Sequence, residues 1–254
     1  MVELEFDEAG TGVAVVTIDR PHARNAIALE TMGQLEQALQ AATGAGALVI
    51  KGAGDRAFVS GGDLKELSAL RTEGDAAAMA KRMRAVCDQI AAFPAPVIAA
   101  LNGHAFGGGA EVAVAADIRV AADDIQIAFN QVQLEIMPAW GGAERLAALV
   151  GKSRALLLAG SGTALDATDA ERIGLVDVVV PRSSFDTADK GWRSVANSLA
   201  RGPAAEIKRV ISGVSPDEAI ASFARLWVAD AHWQAAERVM NRTADRRPAA
   251  GGAI

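Results

Sequence analysis

The run Gly107 to Glu111 sets three consecutive glycines ahead of one carboxylate, inside the apolar stretch AFGGGAEVAVAAD. Lacking a Cβ, glycine lets a backbone N–H come close to a ligand, and unpaired N–H groups at a helix start favour negative charge. On a helix, Glu111 follows Gly108 by about one turn and shares its face. Such a pattern suits a carbonyl that is polarised beside a group able to take and return a proton. A second glycine-bearing stretch, KGAGDRAFVSGGDLKEL from Lys51 to Leu67, contains Ser60, Gly61, Gly62, Asp63, Leu64 and Lys65. If the two loops converge, each can give one N–H to an oxygen developing negative charge, which is the oxyanion-hole arrangement. Singly, either loop is explained as well by a tight turn, and Asp63 as well by capping the LKEL segment.

The elements that must position these groups alternate. Runs from Val2 to Phe6, Val13 to Ile18, Ala47 to Lys51, Val97 to Leu101, Ile125 to Ala128 and Leu175 to Val180 read as buried strands. Between most of them lie helical stretches with apolar residues at three- or four-residue spacing: Leu29 to Ala42, Ala76 to Phe93, Gly108 to Ala116, Gly142 to Val150 and Ala155 to Gly160. This alternation predicts an α/β fold. After Pro181 the strand signal stops, and Trp192 to Ala200, Ala204 to Ile211 and Pro216 to Met240 read as helices. The last of them aligns Ile220, Phe223, Leu226, Trp227 and Ala231 in one stripe, which must cover a core or a neighbouring subunit. The terminal RRPAAGGAI is expected to fray.

A chain of 254 residues with 51% apolar composition can bury a substantial core, which excludes a disordered or fibrous protein. The net charge of −6 and the lack of clustered Lys and Arg disfavour a nucleic-acid surface. One cysteine, Cys87, allows no internal disulfide and reads as an ordinary thiol. The start MVELEF carries no export pattern and no apolar run is long enough to span a membrane, so a cytoplasmic enzyme is expected. GxGxxA in LVIKGAGDRA lacks the strand–helix–strand context of a dinucleotide site, and Ser60 lies in no GxSxG elbow.

Together with DRPHARNAI, from Asp19 to Ile27, and MPAWGGAERLAALVG, from Met137 to Gly151, the glycine loops form an ordered set that continues through ALDATDAERIGLVDVVV. In this set the chain resembles the crotonase, or enoyl-CoA hydratase/isomerase, superfamily. The resemblance covers most of residues 13 to 181. It implies a crotonase-like spiral core of ββα turns over residues 1–190, and a C-terminal helical oligomerisation region over 191–254 that serves trimers or dimers of trimers. It further implies an acyl-CoA thioester as substrate, with no cofactor beyond the coenzyme A that the substrate carries.

By motif position, the resemblance makes Gly62 and Gly108 the donors to the thioester oxygen and Glu111 the acid/base. Arg24, Ala26, Ser60, Gly61, Asp63, Leu64 and Lys65 would line the CoA path. His104 and Trp140 lie beside the donor loops and are candidates for the acyl pocket, although each is also explained by core packing. His22 and His232 are expected at a surface or interface, and no histidine pair has metal-ligand spacing. The second glutamate of the hydratases falls at Gln131. A glutamine can orient water but cannot accept and return its proton, so this residue weakens simple hydration. Glu135, where hydratases usually have glycine, is a candidate replacement. PAWGG and the C-terminal pattern resemble the ethylmalonyl-CoA decarboxylase branch, which makes malonyl-type decarboxylation the alternative reaction and a silent acyl-CoA binder the third reading.

Overall fold

The computed structural model describes residues 1–7 and 10–245. The RRPAAGGAI tail therefore lies outside the described residues. Strand β1 (Val2–Phe6) pairs antiparallel with β2 (Val13–Ile18), which buries Val13, Ala14, Val16 and Ile18. Helix α1 (Leu29–Ala41) follows, burying Met32, Leu35, Ala38 and Leu39 at helical spacing. Next come β3 (Ala47–Gly52), β4 (Ala57–Val59), the one-turn α2 (Leu64–Leu67) and α3 (Glu73–Ala91). Thr72 caps α3, its Oγ1 accepting the Asp75 N–H at 3.1 Å.

The chain continues through β5 (Val97–Leu101), β6 (His104–Phe106), α4 (Gly108–Ala113), β7 (Ile118–Ala122) and β8 (Gln126–Ala128). After a short 3₁₀ turn over Asn130–Leu134 come α5 (Gly142–Val150), α6 (Lys152–Ser161), β9 (Leu165–Asp166), α7 (Ala167–Arg172), β10 (Val178–Val180) and α8 (Trp192–Leu199). One six-stranded sheet has the order β1-β2-β3-β5-β7-β10, parallel from β2 onward, and a four-stranded sheet has the order β4-β6-β8-β9. Three times in succession the chain lays one strand on the large sheet, a shorter one on the small sheet, and then turns into a helical segment. This is the expected spiral of ββα turns.

The large-sheet strands explain their own apolar runs. β3 and β5 are covered on both faces, so Leu48, Val49 and Ile50 are buried opposite Val97, Ile98 and Ala99 in parallel register. β7 breaks the apolar rule with Arg119, which is buried and pairs with Asp177 at 2.6 Å. That charge is why the sequence pattern does not reveal β7. The small-sheet strands β4, β6 and β9 also escape it, because two or three residues cannot display a period.

Two compact units divide between Ala204 and Ala205, later than the boundary expected after residue 190. The cause is α8, whose Trp192 and Ala196 are buried and which packs on β3 and β5. The second unit contains nearly all of α9 (Ala204–Ile211), with α10 (Pro216–Trp227) and α11 (Asp230–Asp245). The single helix expected from Pro216 to Met240 is thus two, interrupted at Val228 and Ala229. α10 starts with a capping box: Ser215 Oγ accepts the Glu218 N–H, and Glu218 Oε2 accepts the Ser215 N–H at 2.9 Å. Ile220, Phe223, Leu226 and Trp227 share the exposed part of α10, whereas Ala231 lies beyond the break.

Candidate active site

Consecutive turns of the spiral deliver equivalent groups to one place. After β4 the chain turns through Gly61, at φ 102°, into Gly62; after β6 it turns through Gly107, at φ 55°, into Gly108. Both turns use the left-handed region that a side chain disfavours. They lie side by side, since a β-carbon placed on Gly61 would stand 3.4 Å from the Gly108 nitrogen.

Gly62 forms a parallel bridge with Ile27 through the groups on either side of it: Ile27 N–H donates to Gly61 O, and Asp63 N–H to Ile27 O, each at 2.8 Å. Strand alternation therefore aims the N–H of Gly62 away from Ile27. The N–H of Gly108 belongs to the first turn of α4, where no intrahelical acceptor exists. Neither amide donates to a protein acceptor among the described residues.

Trp140 covers both glycines. A β-carbon on Gly108 would fall 2.1 Å from the Trp140 ring and one on Gly62 3.9 Å from it. The ring is 6% exposed and forms one wall of a cavity of about 410 Å³. Ser60, Gly61, Gly62, Leu64, Gly108, Glu111 and Gln131 line the same cavity, with Leu67, Met79, Asn130, Leu134, Ile136 and Met137. Its walls are thus apolar on the α2–α3 side and around Ile136, and polar at Glu111, Asn130 and Gln131.

Glu111 is 2% exposed. Its Oε2 accepts the N–H groups of Trp140 (2.7 Å) and Gly142 (2.9 Å), while Oε1 accepts Gln131 Nε2 at 2.9 Å. Burial raises its carboxyl above the ordinary value, and the donors from Gly142, Trp140 and Gln131 oppose this without cancelling it. Arg145 steadies the clamp: Nη1 donates to Trp140 O at 3.2 Å, and Nη2 pairs with Asp88 at 2.5 Å. The amides of Trp140 and Gly142 and the guanidinium of Arg145 hold Glu111 in place and were not among the residues expected from the sequence. Their signal was present in PAWGGAER, where two glycines let the chain wrap a carboxylate.

Five expected site residues stand elsewhere. Asp63 caps α2 and pairs with Arg20 Nη2 at 2.9 Å; burial raises its carboxyl, but Arg20 and the Glu66 N–H outweigh that and leave it below the ordinary value. His104 is turned into the small sheet, where Nδ1 accepts the Gln126 N–H at 3.0 Å and the ring stacks on Phe106. It is not among the residues of the cavity wall, in contrast to the expectation for the acyl pocket. Arg24 and Lys65 are exposed and Ala26 is buried, all outside the wall. Within ARNAI the anchor is Asn25, whose Nδ2 donates to Ala53 O (3.0 Å) and Ala57 O (2.8 Å). Glu135 is exposed, outside the wall and left-handed at φ 56°, so it supplies no second carboxylate. That φ is the physical reason for glycine at the position.

Cys87 is buried and its thiol is pushed up to about 12, by burial first and the Glu111 charge second, which makes it an inert core thiol. Among the described residues no three His, Cys, Asp or Glu side chains gather as metal ligands, and no helix is long and apolar enough to cross a membrane.

A spiral of ββα turns that brings two unpaired amides beside one buried carboxylate defines the crotonase fold class. The chain belongs to the enoyl-CoA hydratase/isomerase family, whose model matches residues 8–242. It is 35% identical over 201 residues to the short-chain-enoyl-CoA hydratase of Clostridium acetobutylicum, covering 77% of this chain and 75% of that one. With a Bacillus subtilis protein named "Probable enoyl-CoA hydratase" it shares 39% identity over 169 residues, 65% of either chain. An enoyl-CoA hydratase from Bacillus anthracis superposes with a TM-score of 0.81 at 27% identity, over 98% of both chains.

Proposed function

We propose that this chain is an acyl-CoA-processing enzyme of the enoyl-CoA hydratase/isomerase type, with Glu111 as its acid/base. One observation carries the reading: two backbone N–H groups without acceptors among the described residues share a cavity with a buried, donor-clamped carboxylate. The thioester oxygen accepts from Gly62 and Gly108, which stabilises the enolate. Ser60, Gly61 and Leu64 flank the acyl end. Arg24, Ala26 and Lys65 follow along the coenzyme A, and Asp63 fixes the loop that carries them.

Three donors occupy the Glu111 carboxylate, two on Oε2 and one on Oε1, so Oε1 keeps a lone pair for proton transfer. In hydration, water oxygen bonds to C3, its proton passes to Glu111, and the π electrons move onto the thioester oxygen. Glu111 then returns the proton to C2 as the carbonyl re-forms. In isomerisation the same carboxylate takes a proton from C2 and gives it to C4. Both routes need one carboxylate, and no metal or further cofactor takes part. A cytoplasmic setting is part of this reading, as is a homotrimer or dimer of trimers built through the C-terminal helices.

The cavity wall contains no Lys, Arg or His, so a malonyl carboxylate would have no cation to hold it beside Glu111. A panel of crotonyl-CoA, a 3-enoyl-CoA and methyl- and ethylmalonyl-CoA tests the reading. Turnover of an enoyl thioester is expected. Release of CO₂ from the malonyl thioesters alone would replace this reading with decarboxylation, and binding without turnover would replace it with a silent acyl-CoA binder.

A further inference from the structure

A lysine interrupts the otherwise apolar strand β3, ALVIKG, and its side chain borders a cavity of about 660 Å³. This cavity shares no residue with the one beside Glu111. Strand alternation builds it: Ala14, Val16 and Ile18 of β2 are fully buried in the core, which leaves Val13, Val15 and Thr17 on the opposite face. Helix α8 packs on β3 and β5, and the cavity lies between its Trp192 and Ala196 and the face of β1 and β2.

Several donors on this wall meet no acceptor among the described residues. The Lys51 side chain is only 22% exposed, yet its Nζ comes no nearer than 3.9 Å to Asp186 Oδ1, too far for a hydrogen bond, and that oxygen already accepts Trp192 Nε1 at 2.7 Å. Nζ also stands 5.8 Å from the centroid of the Trp192 ring. Arg193 lies over the same ring at 4.4 Å and pairs with no carboxylate. Thr17, the cross-strand neighbour of Lys51, and Asn197, one helical turn beyond Arg193, likewise make no side-chain hydrogen bond. Two acids, Glu5 and Asp7, border the cavity too, but β1 is two strand spacings from β3, about 10 Å, and Asp7 Oδ2 accepts Thr11 Oγ1 at 2.6 Å. A largely buried ammonium without an acceptor calls for one from a ligand.

We propose that this cavity is a second small-molecule site, which takes a carboxylate carried on a short apolar body. The carboxylate accepts from Lys51 Nζ and Thr17 Oγ1, with Arg193 and Asn197 on the helix side, and the body lies on Val13, Val15 and Ala196. The volume falls in the range of small-molecule sites and exceeds what a carboxylate alone would fill, and the apolar floor makes the remainder suit an aliphatic chain.

Hexanoate is the probe, with hexan-1-ol, hexylamine and inorganic phosphate as comparisons. Calorimetric titration of the wild-type protein is expected to give saturable hexanoate binding, at least ~tenfold tighter than that of the alcohol or the amine, the worth of one charge-assisted hydrogen bond. Phosphate, which has the charge without the body, should bind more weakly than hexanoate. Lys51→Met, which keeps the length of the side chain and removes its charge, should weaken hexanoate at least ~tenfold, whereas Glu111→Gln should leave it within about threefold. A readout on the wild type alone makes the test independent of how the variants fold: in acetic anhydride labelling resolved by peptide mass spectrometry, hexanoate should protect Lys51 and leave the exposed Lys65 and Lys152 labelled as before. Absence of saturable binding, undiminished binding to Lys51→Met, equal labelling of Lys51 with and without hexanoate, or phosphate binding tighter than hexanoate overturns the proposal.

Discussion

At the scale of single residues, the buried Glu111 carboxylate costs the fold stability when it is ionised. A carboxyl whose native value is raised binds its proton more readily folded than unfolded. Its stabilising contribution is therefore complete below the ordinary glutamate value of 4.5 and is lost as pH rises through the higher native value. Glu111→Gln removes that dependence. It is expected to resist urea better than the wild type at pH 8, with the gap closing as the pH approaches 4.5. Equal midpoints at pH 8 would mean that the three donors offset burial in full. The same titration predicts that kcat/KM falls on the acidic side with an inflection above 4.5, since only ionised Glu111 takes a proton.

Elements place these residues through short, irregular junctions. The loop before α1 is pinned by Asn25, left-handed at φ 57° and buried, which holds the carbonyls of Ala53 and Ala57 and accepts the Arg20 N–H at 3.0 Å. Asn25→Ala is expected to cost about 2–3 kcal/mol in chemical denaturation, because buried carbonyls lose their donor. A loss within ~0.5 kcal/mol, the range of surface substitutions, would show that the loop is held by other contacts. Much of the site was legible in the sequence because its chemistry is local: GGGAE and SGGD each form one turn, and Gln131 lies one spiral turn later. What was not legible depends on distance. His104 is next to the glycines in sequence but belongs to the small sheet, β7 hides behind an arginine paired with Asp177, and the carboxylate clamp at Trp140 and Gly142 is read only once Glu111 is seen inside it. The break at Val228 and Ala229 has neither Gly nor Pro to announce it.

For the whole molecule, the chain divides into two compact units. The first, residues 1–204, contains every residue of the cavity wall. The second exposes a row of large apolar side chains, Ile220, Phe223, Trp227 and Trp233, and Trp227 contacts Phe223, His232 and Trp233. Apolar surface of this kind in an isolated chain is matched by assembly. Light scattering is expected to return a trimer or its dimer for the wild type and smaller species for Phe223→Asp. A monomeric wild type would remove assembly from the role of these helices.

In the proposed function one carboxylate, Glu111, moves the proton on a thioester polarised by Gly62 and Gly108. Hydration of crotonyl-CoA, followed by loss of the enoyl absorbance, tests it when wild type and Glu111→Gln are compared in parallel with calorimetric binding of butanoyl-CoA. A fall in kcat of at least ~100-fold is expected, with butanoyl-CoA affinity retained within about threefold. Turnover that persists unchanged in Glu111→Gln would contradict it.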